Sequence, residues 1–85
     1  TPRKPPDIYD VTENWKLAGV LTRLVVFQHV KTKETWNLRI GEHRTERYRN
    51  QDYKIVLDKI DKPNWSATVK MTAEGETQTR DFSVF

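Results

Sequence analysis

Apolar and polar side chains alternate along three stretches of the chain, and each stretch contains one tryptophan. The stretches are residues 15–21, 35–40 and 65–71. The apolar side chains recur at a spacing of two residues, which places them on one face of an extended chain, whereas an amphipathic helix needs spacings of three and four. The pattern therefore predicts three β-strands, with Trp15, Trp36 and Trp65 as anchors of a small core.

Three further strands follow from the same reasoning. Residues 24–30 are apolar at consecutive central positions, which is typical of a central strand that is covered on both faces. Residues 52–60 return to a spacing of two and change phase after Leu57, which indicates a bulge. Residues 77–85 complete a hairpin whose turn is predicted at Gly75.

Residues 42–51 lack this alternation, and Tyr48 is their only apolar residue. They are predicted to form a long connection or a short helical turn. About six short strands with frequent turns predict an all-β fold, either a small antiparallel sandwich or a partly open barrel. A sheet of this size is expected to leave an edge strand unpaired, and another chain can add a strand to such an edge.

Residues 1–14 differ from the rest of the chain, because they hold three of its four prolines. Prolines at this density favour an extended or disordered backbone, so we predict a proline-rich linker at 1–14 and a single β-domain at 15–85. Pro2 and Pro5 form a P-x-x-P motif of the kind that proline-recognising domains bind, although such short matches usually mark only a linker. The chain begins at Thr1, so we expect a processed or excised piece of a longer protein.

The composition excludes several classes of function. The chain has 85 residues, no cysteine and a formal net charge of +3. Without cysteine it can hold neither a disulfide framework nor a thiolate metal site. The modest positive charge permits an anionic partner without requiring one. The longest apolar stretch, residues 24–27, is far too short to span a bilayer, so we expect contact with a membrane only through a segment outside this chain.

Residues that could act in catalysis or bind a metal are sparse. His29 lies within an apolar strand, where we expect a hydrogen-bonded structural histidine and not a general base. His43 lies close to Glu42 and Glu46, but catalytic zinc normally needs three protein ligands and no such set is obvious. The three glycines are isolated, so the chain lacks a glycine-rich phosphate loop. We therefore predict that the protein is not an enzyme and that it binds no cofactor or metal.

A basic segment offers an alternative function. Arg44, Arg47, Tyr48 and Arg49 combine guanidinium groups with an aromatic ring, as small β-barrels do when they bind single-stranded nucleic acid. Glu42 and Glu46 interrupt the basic residues of 39–49 and lower the net charge of this segment, so a solvated loop with local ion pairs is the other interpretation. The tryptophans present a similar choice, because a cage for methylated lysine or a platform for a sugar would use them as well as a core would.

Four short motifs of the chain resemble a known family. They are residues 15–22 (WKLAGVLT), 27–35 (FQHVKTKET), 38–42 (LRIGE) and 53–60 (YKIVLDKI). Together they are similar to the periplasmic β-domain shared by the inner-membrane clamp protein of type II secretion systems and the inner-membrane lipoprotein of type IV pili. In that family a strand of the form L-x-G-V precedes an apolar strand and a hairpin, and a strand ending in Gly-Asp or Gly-Glu follows.

The resemblance implies a non-enzymatic docking module of a bacterial secretion or type IV pilus assembly. The implied partner is the N-terminal periplasmic domain of an outer-membrane secretin, bound through a sheet edge and small apolar contacts near the first strands. The implied contact residues are Leu17, Gly19, Val20, Leu21 and Arg23. Gly41 and Glu42 mark a turn of the motif and not an active site. The proline-rich segment resembles the linker to a membrane anchor, which implies a periplasmic domain tethered to the inner membrane.

Overall fold

The computed structural model describes residues 4–84. Within them the chain forms one short α-helix, seven β-strands and one 3-10 turn. The elements are α1 (Ile8–Val11), β1 (Trp15–Val20), β2 (Leu24–His29), β3 (Thr35–Arg39), β4 (His43–Tyr48), β5 (Gln51–Asp61), the 3-10 turn (Lys62–Asn64), β6 (Ser66–Ala73) and β7 (Glu76–Ser83). Six of the strands lie where the alternation predicts them, and β4 is additional.

The seven strands form two antiparallel sheets. β1, β2 and β3 form a three-stranded sheet in that order, which we call the small sheet. β4, β5, β6 and β7 form a four-stranded sheet in that order, which we call the large sheet. The two sheets pack around one apolar core and do not close into a barrel, so the predicted all-β sandwich is confirmed.

The core lies between the inner faces of the two sheets. At its centre, the ring centroid of Trp15 lies 5.1 Å from that of Phe27 and 5.0 Å from that of Trp36. Phe82 of the large sheet meets Phe27 edge to face at 5.2 Å. Aliphatic side chains at alternate strand positions complete the core, among them Leu17, Val25, Leu38, Ile55, Leu57, Val69 and Met71.

Three local predictions about turns and bulges are confirmed. Gly41 and Gly75 both have positive φ, at 88° and 77°, and both lie in turns. The register of β5 against β6 shifts between Leu57 and Lys59, which is the predicted bulge. The bulge changes the alternation of β5, so Ile60 faces inward and packs against the core.

The three tryptophans do not all anchor the core. Trp15 is buried and Trp36 is half-buried, but Trp65 is 44% exposed, so the prediction for Trp65 was wrong. Trp65 ends the 3-10 turn with a left-handed backbone (φ 52°, ψ 45°), and β6 begins only at Ser66. This conformation breaks the extended chain before Trp65 can take its place on the inner face.

The prediction of a connection or helical turn at residues 42–51 was also wrong. These residues contain β4, which pairs with β5 through a two-residue turn at Arg49 and Asn50. Both turn residues have positive φ, at 49° and 66°, as the tightest hairpin turns require. The strand escaped detection because two of its half-buried inward positions carry the charged side chains of Arg44 and Glu46.

The N-terminal segment is more ordered than the predicted linker. Asp7 caps α1 by accepting a hydrogen bond from the backbone N–H of Tyr9 at 2.9 Å. Ile8, Val11 and Thr12 are buried, at 1%, 6% and 0% exposure, so residues 8–12 belong to the packed domain. Pro2 of the P-x-x-P motif lies outside the described residues.

The side chain of Gln78 on β7 attaches this segment to the large sheet. Its Oε1 accepts a hydrogen bond from the backbone N–H of Ile8 at 3.0 Å, and its Nε2 donates one to the carbonyl of Pro6 at 2.8 Å. Arg80 on the same strand donates to the carbonyl and the hydroxyl of Thr12, both at 2.9 Å. The chain therefore enters β1 from a segment fixed at both ends.

Candidate functional site

The outer face of the small sheet carries an apolar strip. Leu24 and Val26 on the central strand β2 are half-buried, while Val25 and Phe27, which face inward, are fully buried. Within residues 4–84 the helix α1 makes its main contacts with β7 and β4 of the large sheet and not with the small sheet. The prediction that β2 is central is confirmed, but within these residues only its inner face is fully covered.

The neighbours of Val26 leave this strip open. Val26 lies opposite Gly19 on β1 and Asn37 on β3. Gly19 has no side chain to shield it, and a Cβ added there would lie 4.0 Å from the Cβ of Val26, an ordinary contact distance. Ala18 beside Gly19 is the extra residue of a bulge and is exposed. Small residues on β1 therefore expose the side of Val26 that a larger side chain would cover.

The outer edge of β1 is unpaired. Among the described strands β1 pairs only with β2. The backbone N–H of Val30 donates to Asn14 at one end of this pair, and that of Leu21 donates to Leu24 at the other, both at 2.9 Å. Because hydrogen-bonded and non-bonded pairs alternate along antiparallel strands, the backbone groups of Leu17 and Val20 point to the outer edge.

The structure divides the contact residues that the resemblance implies. The side chains of Leu17 and Val20 are 1% and 2% exposed and belong to the core, so only their backbone groups can reach a partner. Gly19 is half-buried, and Leu21 and Arg23 are exposed. The implied set is therefore split between two core side chains and three residues that reach the surface.

Sequence reasoning missed Leu24 and Val26 as surface residues. The available signal was an apolar run in a chain of only 85 residues, which is too short to cover both faces of every central strand. It also missed Ile40, which is 60% exposed directly after β3. An apolar residue beside the turn at Gly41 was the signal in that case.

The basic segment does not form one surface. Arg44 points inward, where its guanidinium carbon lies 4.0 Å from the ring centroid of Trp36 and its Nη2 lies 3.3 Å from Glu34. Glu46 beside it accepts a hydrogen bond from Trp15 Nε1 at 2.9 Å and lies 3.8 Å from Arg44 Nε. These contacts join the two sheets and give Arg44 a structural role.

The other members of the basic segment face different directions. Arg47 lies on the outer face of β4, 3.9 Å from Asp52, and both side chains are well exposed. Arg49 lies at the turn, with its guanidinium 5.2 Å from the ring centroid of Tyr48. Tyr48 is half-buried and packs against the core. The predicted cluster is thus split between an inner face, an outer face and a turn.

A small cleft lies beside this turn. It has a volume of about 180 Å³, and Tyr48, Tyr53, Arg49 and Glu74 contribute to its walls. Residues 4–6 of the N-terminal segment line its other side. Two tyrosines and an arginine suit a planar or anionic group, but the cleft is much smaller than the pockets that hold most small ligands.

The histidines have no catalytic partners. His29 Nδ1 accepts hydrogen bonds from the backbone N–H groups of Lys31 and Thr32, both at 3.2 Å, and so stabilises the turn after β2. His43 is exposed on the outer face of β4, opposite Val56. Within the described residues no three histidines, aspartates or glutamates are placed to hold a metal ion.

No family model, curated protein or solved structure matches this chain. The small sheet presents an apolar outer face beside an unpaired strand edge, and another protein chain can pack or pair at features of this kind. None of the helices in residues 4–84 has the length and hydropathy needed to cross a membrane.

Proposed function

We propose that this domain is a non-enzymatic docking module that binds another protein through the outer face of the small sheet and the edge of β1. The observation that carries the proposal is the apolar strip on that face. Leu24 and Val26 lie on a central strand, yet neither of them is fully buried. A partner that covers them removes their apolar surface from water, and this burial stabilises the complex.

The outer face of the large sheet provides a contrast within the same molecule. Its side chains are mainly polar or charged, among them Thr45, Lys54, Thr68, Lys70, Thr72, Thr77 and Thr79. Val56 is the apolar residue at its centre and is half-buried among them. Only one of the two outer faces therefore combines apolar side chains with small neighbours.

The edge of β1 supplies direction and register to the interaction. The backbone groups of Leu17 and Val20 can pair with an added strand, while the exposed bulge at Ala18 limits where regular pairing can extend. Main-chain hydrogen bonds at an edge contribute affinity with little dependence on sequence, and neighbouring side chains contribute selectivity. Leu21 directly follows β1, and both Leu21 and Arg23 are exposed.

The partner that we propose is the N-terminal periplasmic domain of an outer-membrane secretin, in a bacterial secretion or type IV pilus assembly. The resemblance of residues 15–60 to the inner-membrane clamp and pilus lipoprotein domains supports this choice. It also supports a periplasmic location, with the domain tethered to the inner membrane by a segment outside this chain.

Isothermal titration of this chain against the purified N-terminal domain of a secretin from the same organism tests the proposal. Val26→Asp places a charge in the apolar strip and should weaken binding at least about tenfold, as expected for a central interface residue. Val56→Asp is the matched control, because Val56 is also a half-buried valine on the outer face of a central strand. Circular dichroism must show that both variants remain folded.

Two outcomes would contradict the proposal. One is equal loss of affinity in the two variants, and the other is the absence of measurable binding by the wild-type chain at about 100 μM. Ala18→Lys tests the edge separately, with Thr45→Lys on the edge strand β4 as its control. If Ala18→Lys binds like the wild type, the contribution of the β1 edge is refuted.

A further inference from the structure

Exposed apolar side chains concentrate at one end of the sandwich. Of the five most exposed large apolar residues in 4–84, three lie at this end: Leu21 at 52%, Ile40 at 60% and Trp65 at 44% exposure. Leu21 directly follows β1, Ile40 directly follows β3, and Trp65 directly precedes β6. All three therefore lie at strand ends and not on a sheet face.

Contacts between the connections show that these residues share one end. Lys62 Nζ in the 3-10 turn lies 3.4 Å from Thr22 Oγ1 in the β1–β2 turn. Trp65 caps the same 3-10 turn, and its N–H donates to the Lys62 carbonyl at 3.0 Å. Leu24 at the start of β2 lies opposite Arg39 at the end of β3, which places the β3–β4 corner beside the β1–β2 turn.

Trp65 keeps its exposed position in an unfavourable backbone conformation. Its φ of 52° lies in the left-handed region, which bulky L-residues rarely adopt and which glycine or asparagine adopts more easily. The conformation keeps the indole away from the inner face, where Ala67, Val69 and Met71 are buried. A strained residue that exposes a large aromatic ring is a feature of a binding surface and not of a stabilising core.

The same end carries three basic side chains against two carboxylates, Glu42 and Asp61, which gives a small positive balance. The basic side chains are Arg23, Arg39 and Lys62, and within residues 4–84 none of them forms an ion pair at 4.0 Å or less. The two carboxylates contact neutral donors and not these three cations. Glu42 accepts from the backbone N–H of Arg39, and Asp61 accepts from the side chain of Asn64, both at 2.8 Å.

We propose that this end of the sandwich binds peripherally to an anionic lipid surface, with Trp65, Leu21 and Ile40 inserted at the interface. The three apolar side chains lie on separate connections, and a fluid lipid interface can deform around each of them. The cleft beside Tyr48 lies at the opposite end of the sheets. Tryptophan favours the headgroup level of a bilayer, and the surrounding cations attract anionic headgroups. This lipid contact shares Leu21 and Arg23 with the protein docking proposed above, but it does not depend on that docking.

Vesicle binding by the whole chain tests the insertion. The chain is mixed with vesicles of phosphatidylcholine and phosphatidylglycerol, and partition is measured by co-sedimentation and by a blue shift of tryptophan emission. Trp65→Asn should reduce the partition coefficient about tenfold, because the half-exposed indole no longer leaves water. Asparagine tolerates the left-handed conformation, so this variant should remain folded.

Val30→Asn is the matched control for the loss of an apolar side chain. Val30 is also exposed, at 39%, but it follows β2 at the other end of the small sheet. Its substitution should leave partition unchanged. Arg23→Gln and Lys62→Gln should each reduce partition about fivefold on anionic vesicles, since each basic side chain near such a surface adds a similar contribution. Lys54→Gln on the outer face of the large sheet should have no effect.

Raising the salt concentration from about 50 to about 500 mM should weaken the binding, because it shortens the Debye length. Several results would overturn the proposal: no partition at low salt, equal partition on pure phosphatidylcholine, or an unchanged partition of Trp65→Asn. Self-association without lipid that Trp65→Asn abolishes would overturn it as well, because a second copy of the chain would then be the occupant. None of these results depends on secretin binding, which Val26→Asp tests.

Discussion

Substitution of Ile8 by alanine tests whether the N-terminal segment belongs to the folded domain. Ile8 is 1% exposed, packs in the core and begins the short helix α1. A four-residue helix has little stability of its own, so packing and the hydrogen bonds to Gln78 must hold it. Ile8→Ala removes the buried side chain and leaves both backbone hydrogen-bonding groups in place.

The expected loss is large for a domain of this size. Truncation of a fully buried isoleucine to alanine lowers the free energy of unfolding by about 2 to 5 kcal/mol. For 85 residues the total stability is about 4 to 13 kcal/mol, so this single change removes a substantial fraction of it. A loss of about 3 kcal/mol corresponds to a decrease in Tm of about 12 to 24 °C.

Urea unfolding followed by circular dichroism measures the effect. Ile40→Ala is the matched control, because Ile40 is 60% exposed and its truncation should change the free energy of unfolding by less than about 0.5 kcal/mol. If Ile8→Ala were as stable as Ile40→Ala, residues 8–12 would not be packed. The reasoning that includes them in the domain would then be refuted.

Two further predictions concern the junction of the sheets and the turns. Glu46→Ala removes the acceptor of the buried Trp15 indole N–H and should lower the free energy of unfolding by about 1 to 3 kcal/mol. Its control is Arg47→Ala on the exposed face of β4, which should change the free energy of unfolding by less than about 0.5 kcal/mol. Equal effects in urea unfolding would show that the contact with Trp15 does not stabilise the domain. Gly75→Ala should lower the free energy of unfolding by about 1 kcal/mol, because Gly75 has a φ of +77°. Gly19→Ala should leave the free energy of unfolding unchanged, because a Cβ fits there at an ordinary contact distance. A larger loss for Gly19→Ala than for Gly75→Ala in thermal unfolding would contradict the positive φ of Gly75.

Local pattern was sufficient wherever a strand has one apolar face. The strands around Leu17, Ile55 and Val69 were predictable because buried side chains at a spacing of two require an extended backbone. The turns at Gly41 and Gly75 were predictable for a related reason, since glycine adopts positive φ without strain. These properties depend only on neighbouring residues.

The local sequence pattern did not predict the structure where a residue depends on a contact with a distant part of the chain. Arg44 and Glu46 lie on the inner side of β4 because Trp36 and Trp15 of the other sheet provide a ring face and an indole N–H. Nothing in residues 42–51 indicates those partners. The local pattern of the N-terminal segment was insufficient for the same reason, because Gln78, about 70 positions away, accepts the hydrogen bond from Ile8.

The candidate surfaces show the same division. The sequence by itself determined that this is a small all-β domain, because alternation is a local property of the chain. Only the tertiary structure decided that Leu24 and Val26 lie on an open face, and that Trp65 is outside the core. Exposure depends on which elements pack together, and in a sandwich those elements come from opposite ends of the chain.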